Sequence, residues 1–464
     1  MRILIITPFV TTFGRFGTYV HTGGGVAVRY ESYEQSLLEA GHSVRVLSPD
    51  RQTIDTFELM SSQLVAPAMH GFPFIGLTLS NLRTFLSAFA WCDCVVMPEN
   101  TQICSISALG YLLRKPVVLN IHTNVAQMVR SNVVTGWVAE RLYYAAIKGA
   151  KMNPQLVCNT VSETNREVLE REGIEVSGVY ELQTRQCDEL SAEERARIRQ
   201  QLAPGVSSDT PLVLFAGRFL KEKRIDRLVA CLPANAALVL VGSGHDNVHG
   251  AHHDPSKLVF VHAGFVPNDV IYKYYQAADW VANASDFETF GNTSYEANSV
   301  GTPCILHPKG GHLSQIAKEG SNGWFVNFDA ADDVAKESFR RKLFERPRPT
   351  REQIREGVRA ARPANAVSIR QAVEDAVARA AGRKRGDCLG RIYIACALLL
   401  GTLANIVCEC LVLGVAGWRK VPARPEAKAK VRLIATESGA GLNGAQEAGG
   451  EHVICTNARD TRGE

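Results

Sequence analysis

The 464-residue sequence predicts an α/β protein with two doubly wound domains that face each other across a cleft. Two observations predict this class. In each half of the chain, short apolar runs alternate with helical patterns, which is typical of parallel sheets covered by helices. Hydrophobic residues also make up 46% of the chain, as expected for a globular protein with a substantial core.

The first domain is predicted to span residues 1–185. Its first strand is "MRILIITPF", and "YESYEQSLLEAGHSVRVLSPD" follows as a helix that ends at Gly41 and then a second strand. Further strands are "WCDCVVMPEN", "KPVVLNIHTN" and "QLVCNT", and a helix capped near Ser162 follows the last of them. The chain start has no signal-peptide pattern, so we expect this domain in a reducing compartment.

The second domain is predicted to span residues 186–340. The helix "SAEERARIRQQL" begins it, with the capping-box spacing of Ser191 and Glu194. Six apolar runs follow in the same strand–helix rhythm: "LVLFAGR", "AALVLVGSG", "LVFVHAG", "WVANAS", "PCILHP" and "GWFVNF". Ligands of such sheets bind at the carboxyl ends of the strands, so we expect a site in the cleft between the domains.

The rest of the sequence predicts attachment to a membrane. Arg340–Arg362 contains nine basic and three acidic residues, and it opens a basic helical linker predicted over residues 341–390. This surface is either simply solvated or in contact with anionic lipid headgroups. Ile392–Trp418 is 27 residues long without Lys, Arg or Asp, which predicts one membrane-spanning helix over residues 391–418.

The alternative for this apolar segment is a shallow helix in which Glu409 reaches the membrane interface. Basic residues flank both ends, so the charges do not fix the orientation. Without a signal peptide, we expect the two domains to face the cytosol. The tail over residues 419–464 is polar and rich in Gly and Ala, which predicts disorder.

Charge and cysteine spacing exclude two other kinds of site. A net charge of +4 is too small to predict nucleic-acid binding. The twelve cysteines form no CxxC pair or His/Cys cluster with zinc spacing, so we expect no metal site built from them.

The stretch "DFETFGNTSYEANSVGTP", residues 286–303, contains the core of the predicted site. We expect the preceding strand to end just before it and a helix to begin at Asn292 or Thr293. The first turn of a helix has unpaired N–H groups and positive dipole charge, where a phosphate group binds. Gly291 allows the backbone to come close to that phosphate.

Two glutamates accompany this helix start. Glu288 lies at the mouth of the loop, and Glu296 lies one turn into the helix, so each is placed to accept hydrogen bonds from hydroxyl groups beside a diphosphate. A nucleotide sugar has such hydroxyls at both ends, so Glu288 would hold the sugar and Glu296 the ribose. One alternative is a glycosidase acid–base pair, but eight helical positions span about 12 Å, more than the roughly 5–9.5 Å that such pairs need. The other is that both are ordinary surface acids.

Basic residues at a second strand end fit the same ligand. "FAGRFLKEKRID" has Arg218 and Lys223 in a loop that Gly217 opens, where they would neutralise a diphosphate leaving group. The alternative is a solvated loop.

Further strand ends supply glycines and a histidine. Gly310 and Gly311 in "HPKGGHLSQI", Gly242 in "VGSG" and Gly24 in "TGGGV" would let the backbone approach a ligand. His122 ends the strand "VVLNIH" and faces the cleft if that strand is in the sheet, unless its role is structural.

Together these motifs resemble the retaining family-4 glycosyltransferases of the GT-B fold, from Met1 to about Asp333. The most specific piece is "ETFGNTSYEANSVGTP", followed by "GG" and "EGSNGWFVNFD", and "GRFLKEKRID" is nearly as diagnostic. Within the family, "NIHTNV" and the general layout are similar to the sulfoquinovosyl transferases and other glycolipid synthases. The stretch "VYELQTRQCDEL" departs from the family, which usually has an Asn-Gly-Val-Asp-like turn where the chain passes between domains.

The resemblance implies a hexosyltransferase that uses a nucleotide sugar as its substrate, retains the anomeric configuration and needs no metal or other cofactor. With the membrane segment, it implies a lipid, lipid-linked or other glycan acceptor beside a membrane surface. The matching positions are Glu288 for the donor sugar, Glu296 for the ribose, Arg218 and Lys223 for the diphosphate, Gly24 in the first-domain glycine loop, and His122 near the transferred sugar.

Two other classes of protein remain as alternatives. One is a membrane-tethered protein that binds a nucleotide sugar without catalysis, against which the presence of Glu288, Arg218 and Lys223 argues. The other is a nicotinamide-dependent oxidoreductase, which needs GxGxxG after the first strand, and "TPFVTTFGRFGTYVHTGGG" does not supply it.

Overall fold

The computed structural model describes residues 1–7, 11–13, 19–21, 25–51, 53–59, 74–75, 78–99, 103–123, 136–180, 187–242, 257–264, 266–382 and 418–420. Its strands are β1 (Arg2–Ile6), β2 (Thr11–Phe13), β3 (Tyr19–His21), β4 (Ser43–Leu47), β5 (Thr56–Leu59), β6 (Phe74–Ile75), β7 (Cys94–Pro98), β8 (Val117–Ile121), β9 (Leu156–Thr160), β10 (Gly178–Tyr180), β11 (Leu212–Ala216), β12 (Ala237–Gly242), β13 (Leu258–Ala263), β14 (Trp280–Asn283), β15 (Cys304–Leu306), β16 (Gly323–Phe325), β17 (Ala366–Val367) and β18 (Trp418–Lys420).

The α-helices are α1 (Gly25–Glu39), α2 (Leu79–Trp91), α3 (Ile103–Leu112), α4 (Gly136–Ala150), α5 (Glu163–Arg171), α6 (Ala192–Leu202), α7 (Ile225–Cys231), α8 (Asn268–Ala277), α9 (Asn292–Ser299), α10 (Asp332–Phe344), α11 (Arg351–Ala360) and α12 (Ile369–Ala381). Short 3-10 helices cover Pro49–Arg51, Lys221–Lys223 and Gly310–Ser314.

Two parallel sheets confirm the predicted α/β class. The first has the strand order β17-β10-β9-β8-β7-β1-β4, and the second has the order β13-β12-β11-β14-β15-β16. The six apolar runs predicted for the second half of the chain are the six strands of the second sheet. The predicted caps are also confirmed, because the side chains of Ser162 and Ser191 accept backbone hydrogen bonds at the starts of α5 and α6.

Both faces of each sheet are buried, which explains why the strands are apolar without alternation. In β1, Ile3 and Ile5 pack with helices α1 and α12 on one face, while Leu4 and Ile6 pack with helices α2, α3 and α4 on the other. The second sheet has a separate core on each of its faces. Each domain therefore has its own two-sided core, and the carboxyl ends of its strands are left to form the site.

The chain returns to the first domain after it has completed the second sheet. Helix α10 packs on α7 and helix α11 packs on α9, both in the second domain. Strand β17 then pairs with β10, and helix α12 lies against α1 and strands β7, β8 and β9. The predicted linker over 341–390 thus contains helices packed on both domains, while the domain boundaries at 185 and 340 remain predictions.

Part of the basic charge in Arg340–Arg362 is matched by acids within the fold. Arg340 forms an ion pair with Glu337 at 2.8 Å, and Arg348 forms one with Asp279 at 3.2 Å. Arginines held in this way are less available to lipid headgroups than a simple charge count suggests.

Among the helices of the described ranges, none is both long enough and apolar enough to cross a membrane. The membrane helix predicted over 391–418 lies outside the described residues, except for Trp418, which begins strand β18. This strand pairs with β5 in an antiparallel arrangement. The tail predicted to be disordered, 419–464, also lies outside them apart from Arg419 and Lys420.

We expect a chain that ends at Gly382 to fold and a chain that ends at Asn365 to fail. The second chain lacks β17 and α12, whose residues Ile369 and Val373 are 3% and 0% exposed. Loss of this apolar burial lowers the free energy of unfolding by roughly 5 kcal/mol or more, which is comparable to the whole stability of a domain. Soluble yield and a cooperative thermal transition measure the difference, and a shorter chain that melts like the longer one contradicts the assignment of α12 to the first domain.

Candidate functional site

Glu288 lies in the loop after β14, at the carboxyl end of that strand, as the sequence predicted. Its Oε1 accepts hydrogen bonds from Nδ2 of Asn283 at 3.2 Å and Oγ of Ser285 at 3.1 Å, and it forms an ion pair with Nζ of Lys223. Burial alone would raise the pKa of Glu288, but Lys223, His312 and Asn283 together outweigh it, with Lys223 the largest of the three, and the pKa falls to about 2. Glu288 is therefore a carboxylate at neutral pH, although only 15% of its side chain is exposed.

The glycine pair Gly310–Gly311 supports the loop that holds Glu288. The N–H of Gly311 donates to the backbone oxygen of Glu288 at 2.6 Å. A Cβ atom on Gly311 would lie 2.3 Å from the backbone oxygen of Thr289, and one on Gly310 would lie 2.5 Å from that of Glu288. The two glycines are thus needed for close backbone contact within the protein, a role that the sequence analysis did not foresee.

Helix α9 begins at Asn292, which confirms the predicted helix start. Gly291 precedes it with a φ of +90°, in the left-handed region that favours glycine. Nε2 of Gln315 donates to the backbone oxygen of Gly291 at 2.7 Å, and Oγ1 of Thr293 donates to that of Ala216 at 3.2 Å. These bonds fix the first turn of α9 against the carboxyl end of β11.

Glu296 lies half-buried in the second turn of α9. Its Oε2 accepts a hydrogen bond from the hydroxyl group of Tyr275 at 3.1 Å. Removal from water raises the pKa of Glu296 to about 7, and the Tyr275 bond and the charge of Arg29 offset only part of this. The two glutamates on either side of the helix start therefore differ in charge at neutral pH.

The carboxyl ends of β11 and β12 are in close backbone contact. Gly217 and Gly242 have φ angles of +154° and +143°, and a Cβ atom on Gly242 would lie 1.8 Å from the backbone oxygen of Gly217. Arg218 follows directly and is exposed, with no ion pair or side-chain hydrogen bond within the described ranges. Of the two predicted cations, Lys223 is thus engaged with Glu288, and Arg218 projects into solvent.

His122 lies at the carboxyl end of β8 and is 7% exposed. Its ring packs against those of Tyr30 and Tyr33, with centroid separations of 5.4 and 5.8 Å. Neither ring nitrogen has a hydrogen-bond partner among the described residues. Burial first, and then the charge of Arg29, hold the pKa of His122 well below its usual value, so the ring is neutral at neutral pH.

Glu99 fixes the backbone beneath His122 and was not identified from the sequence. Its two carboxyl oxygens accept the N–H of His122 at 2.9 Å and that of Thr123 at 2.6 Å. Burial raises the pKa of Glu99 to about 8. Its position directly after the strand end in "CVVMPEN" was the available signal, since strand ends on one sheet edge lie together.

Contacts between the domains cross this site. Nη2 of Arg29 donates to Oδ1 of Asn292 at 3.0 Å, and Oγ of Ser162 donates to the backbone oxygen of Thr289 at 2.6 Å. The predicted site residue Gly24 lies outside the described residues. The first domain therefore contacts the residue next to Glu288 through Ser162 and the start of α9 through Arg29.

Asp286, His307 and Asp329 also have their ligand atoms close together near the site. Arg224 forms ion pairs with Asp286 at 3.0 Å and Asp329 at 3.3 Å, and Lys309 forms one with Asp329. Two cationic side chains therefore already match the acids in this cluster, which stabilises the loops around the site.

We expect Glu296→Gln to change how stability depends on pH. Between the ordinary glutamate pKa of about 4.3 and the folded value of about 7, the folded protein binds the extra proton, so its unfolding free energy falls as pH rises. The variant should lose less stability than the wild type between about pH 4.5 and about pH 7.5 in urea unfolding. The exposed Glu356→Gln serves as the control, and a pH dependence unchanged by Glu296→Gln contradicts the assigned environment.

We expect Gly311→Ala to displace the Glu288 loop. The added methyl group meets backbone atoms of Thr289 and Phe290 within 2.4 Å, so the loop must move, at a cost of about 1–3 kcal/mol. Gly382→Ala is the matched control, because its Cβ atom would meet only the Ala378 oxygen, at 3.7 Å. Thermal unfolding compares the two, and equal midpoints show that the glycine pair does not support the loop.

The family model described as "Glycosyl transferases group 1" matches residues 196–360. An uncharacterized glycosyltransferase of Methanocaldococcus jannaschii is 35% identical over 159 residues, which cover 32% of this chain and 39% of the relative. The alpha-monoglucosyldiacylglycerol synthase of Acholeplasma laidlawii is 31% identical over 132 residues, which cover 26% of this chain and 33% of the relative. The chain thus matches well under half of the length of either relative.

A solved structure extends the likeness of the fold beyond this region. The catalytic domain of starch synthase IV from Arabidopsis thaliana, bound to ADP and acarbose, matches with a TM-score of 0.52 at 15% identity. The match covers 82% of this chain and 99% of that chain. The fold is therefore of the GT-B type, and residues 196–360 are similar throughout to the glycosyltransferase group 1 domain.

Proposed function

We propose that this protein transfers a sugar from a nucleotide-sugar donor to an acceptor. The observation that carries the proposal is the start of α9, which has an ionised glutamate before it and a second, half-buried glutamate one turn into it. The match to the group 1 glycosyltransferase model covers this region, and the plant enzyme of similar fold is bound to ADP.

The donor diphosphate would bind at the first turn of α9. Asn292 and Thr293 begin the helix, and its dipole favours negative charge. Arg218 is exposed at the neighbouring strand end, where it would add a second cation to the site. Lys223 would share its charge between Glu288 and the diphosphate, and thus stabilise the leaving group as the sugar departs.

The two glutamates would hold the two ends of the donor. Glu288 is ionised and therefore accepts hydrogen bonds from sugar hydroxyls, each stronger than a bond between neutral groups. Glu296 has a pKa of about 7, and hydroxyl donors from the ribose favour its ionised form. The close-packed Gly217, Gly242 and Gly310–Gly311 segments hold the surrounding backbone in place.

Chemistry with retention would proceed by attack on the same face as the leaving group. The acceptor oxygen forms a bond to the anomeric carbon while the bond from that carbon to the diphosphate oxygen breaks. The acceptor proton passes to the departing diphosphate, so the step needs neither a protein nucleophile nor a redox cofactor. His122, neutral and without a ring partner among the described residues, would bind a hydroxyl of the transferred sugar.

The acceptor is proposed to be a lipid or a lipid-linked molecule, reached beside a membrane surface. The name of the Acholeplasma laidlawii relative refers to a glycosylated diacylglycerol, and Ile392–Trp418 is a long apolar stretch near the end of the chain. A donor screen tests the proposal as a whole. Purified protein is incubated with UDP-, GDP- and ADP-sugars, and thermal shift, donor hydrolysis and transfer to lipid extracts are measured. Binding without hydrolysis or transfer to any acceptor supports the alternative of a non-catalytic binder.

We expect Glu288→Ala and Glu296→Ala to affect different kinetic constants. Loss of Glu288 removes contacts to the reacting sugar and should lower kcat by roughly 100-fold or more. Loss of Glu296 removes contacts to the ribose and should mainly raise the donor KM, by about 10-fold. Glu356→Ala, an exposed acid on α11, is the control, and equally small effects from both site variants refute the assigned roles.

A further inference from the structure

Arg29 is a buried cation of the first domain that the proposed chemistry has not used. It lies in the second turn of α1 and is only 7% exposed. Its Nη2 donates to Oδ1 of Asn292, the first residue of helix α9, at 3.0 Å. The guanidinium group therefore reaches across the cleft to the helix start of the second domain.

The contacts of Arg29 leave its charge uncompensated. Within the described ranges its side-chain hydrogen bond is to Asn292, which is neutral, and no carboxylate forms an ion pair with it. The ring of Phe290 lies 6.0 Å from the guanidinium carbon. The positive charge of Arg29 acts to lower the pKa of Glu296, but Arg29 and Glu296 form no ion pair within the described ranges. A buried charge without an opposite partner costs several kcal/mol of stability in general, so this arrangement suits an anion that arrives from outside.

The N-terminal end of a second helix, α1, adds positive dipole charge beside Asn292. Helix α1 begins at Gly25, where a Cβ atom would lie 2.4 Å from Nδ2 of Asn292. The N-terminal ends of α1 and α9 therefore meet at Asn292, and each end carries positive dipole charge. Two helix ends and a buried guanidinium group converge here, and like charges repel unless an anion lies between them.

We infer that Arg29 is a phosphate-binding residue that the first domain contributes to the diphosphate site at the start of α9. This inference rests on the proposed function for its substrate, since a nucleotide sugar supplies the diphosphate. Arginine suits the role because its planar fork donates two parallel hydrogen bonds to phosphate oxygens. Arg29 would thus bind the diphosphate from one side while Lys223 and the end of α9 bind it from the other.

The test uses inorganic pyrophosphate and does not require enzyme activity. Wild type, Arg29→Met and Arg29→Lys are compared by thermal unfolding and by calorimetric titration with pyrophosphate. Arg83→Met is the matched control, an exposed arginine on α2. We expect Arg29→Met to weaken pyrophosphate binding by about 10- to 100-fold, Arg29→Lys to weaken it less, and Arg83→Met to leave it unchanged.

The ligand-free proteins give a second readout. If Arg29 serves an anion, Arg29→Met removes an uncompensated buried charge, and its melting midpoint without ligand should equal or exceed that of the wild type. A lower midpoint together with unchanged pyrophosphate affinity assigns Arg29 to structure and overturns the inference. So does a wild type that does not bind pyrophosphate. Arg29-dependent binding in a protein without any transfer activity supports the inference and counts against the proposed function.

Discussion

The ion pair between Lys223 and Glu288 is the interaction on which the arrangement of the site depends. Burial acts to protonate Glu288, and the adjacent ammonium group is the largest of the influences that keep it ionised, with a pKa of about 2. The pair can form because Gly310 and Gly311 let the Glu288 loop pack directly on a neighbouring backbone segment. The position of the Glu288 loop and the charge of its carboxylate therefore both depend on the backbone packing at Gly310 and Gly311.

The charges of the site are unevenly distributed, and this distribution fits a donor with distinct ends. Glu288 is held ionised by a cation, whereas Glu296 is held near its midpoint by burial with only partial compensation. Between them lies the positive end of α9, approached by Arg29 from the first domain. An acidic side chain thus lies on each side of a positively charged helix end. This order matches a ligand that has hydroxyl groups on both sides of a diphosphate.

Local sequence signals predicted much of this fold and part of the site. Apolar runs identified the strands of the second sheet, and the cap at Ser191 and the helix start at Asn292 were confirmed because each depends on nearby residues. Strand β17 was missed because two residues carry no readable periodicity, and its pairing joins residues far apart in the chain. The contact of Arg29 with Asn292, 263 residues away, depends on the relative placement of the domains, which no local pattern encodes. The role of the glycine pair escaped prediction for the same reason.

A crystal structure of the protein with the nucleoside diphosphate that binds tightest in the donor screen would show directly whether the start of α9 binds the diphosphate. We expect the diphosphate at the first turn of α9, within hydrogen-bond distance of its backbone N–H groups, with the ribose beside Glu296. A diphosphate bound elsewhere, with Glu296 and the start of α9 unoccupied, would refute this assignment of the donor site.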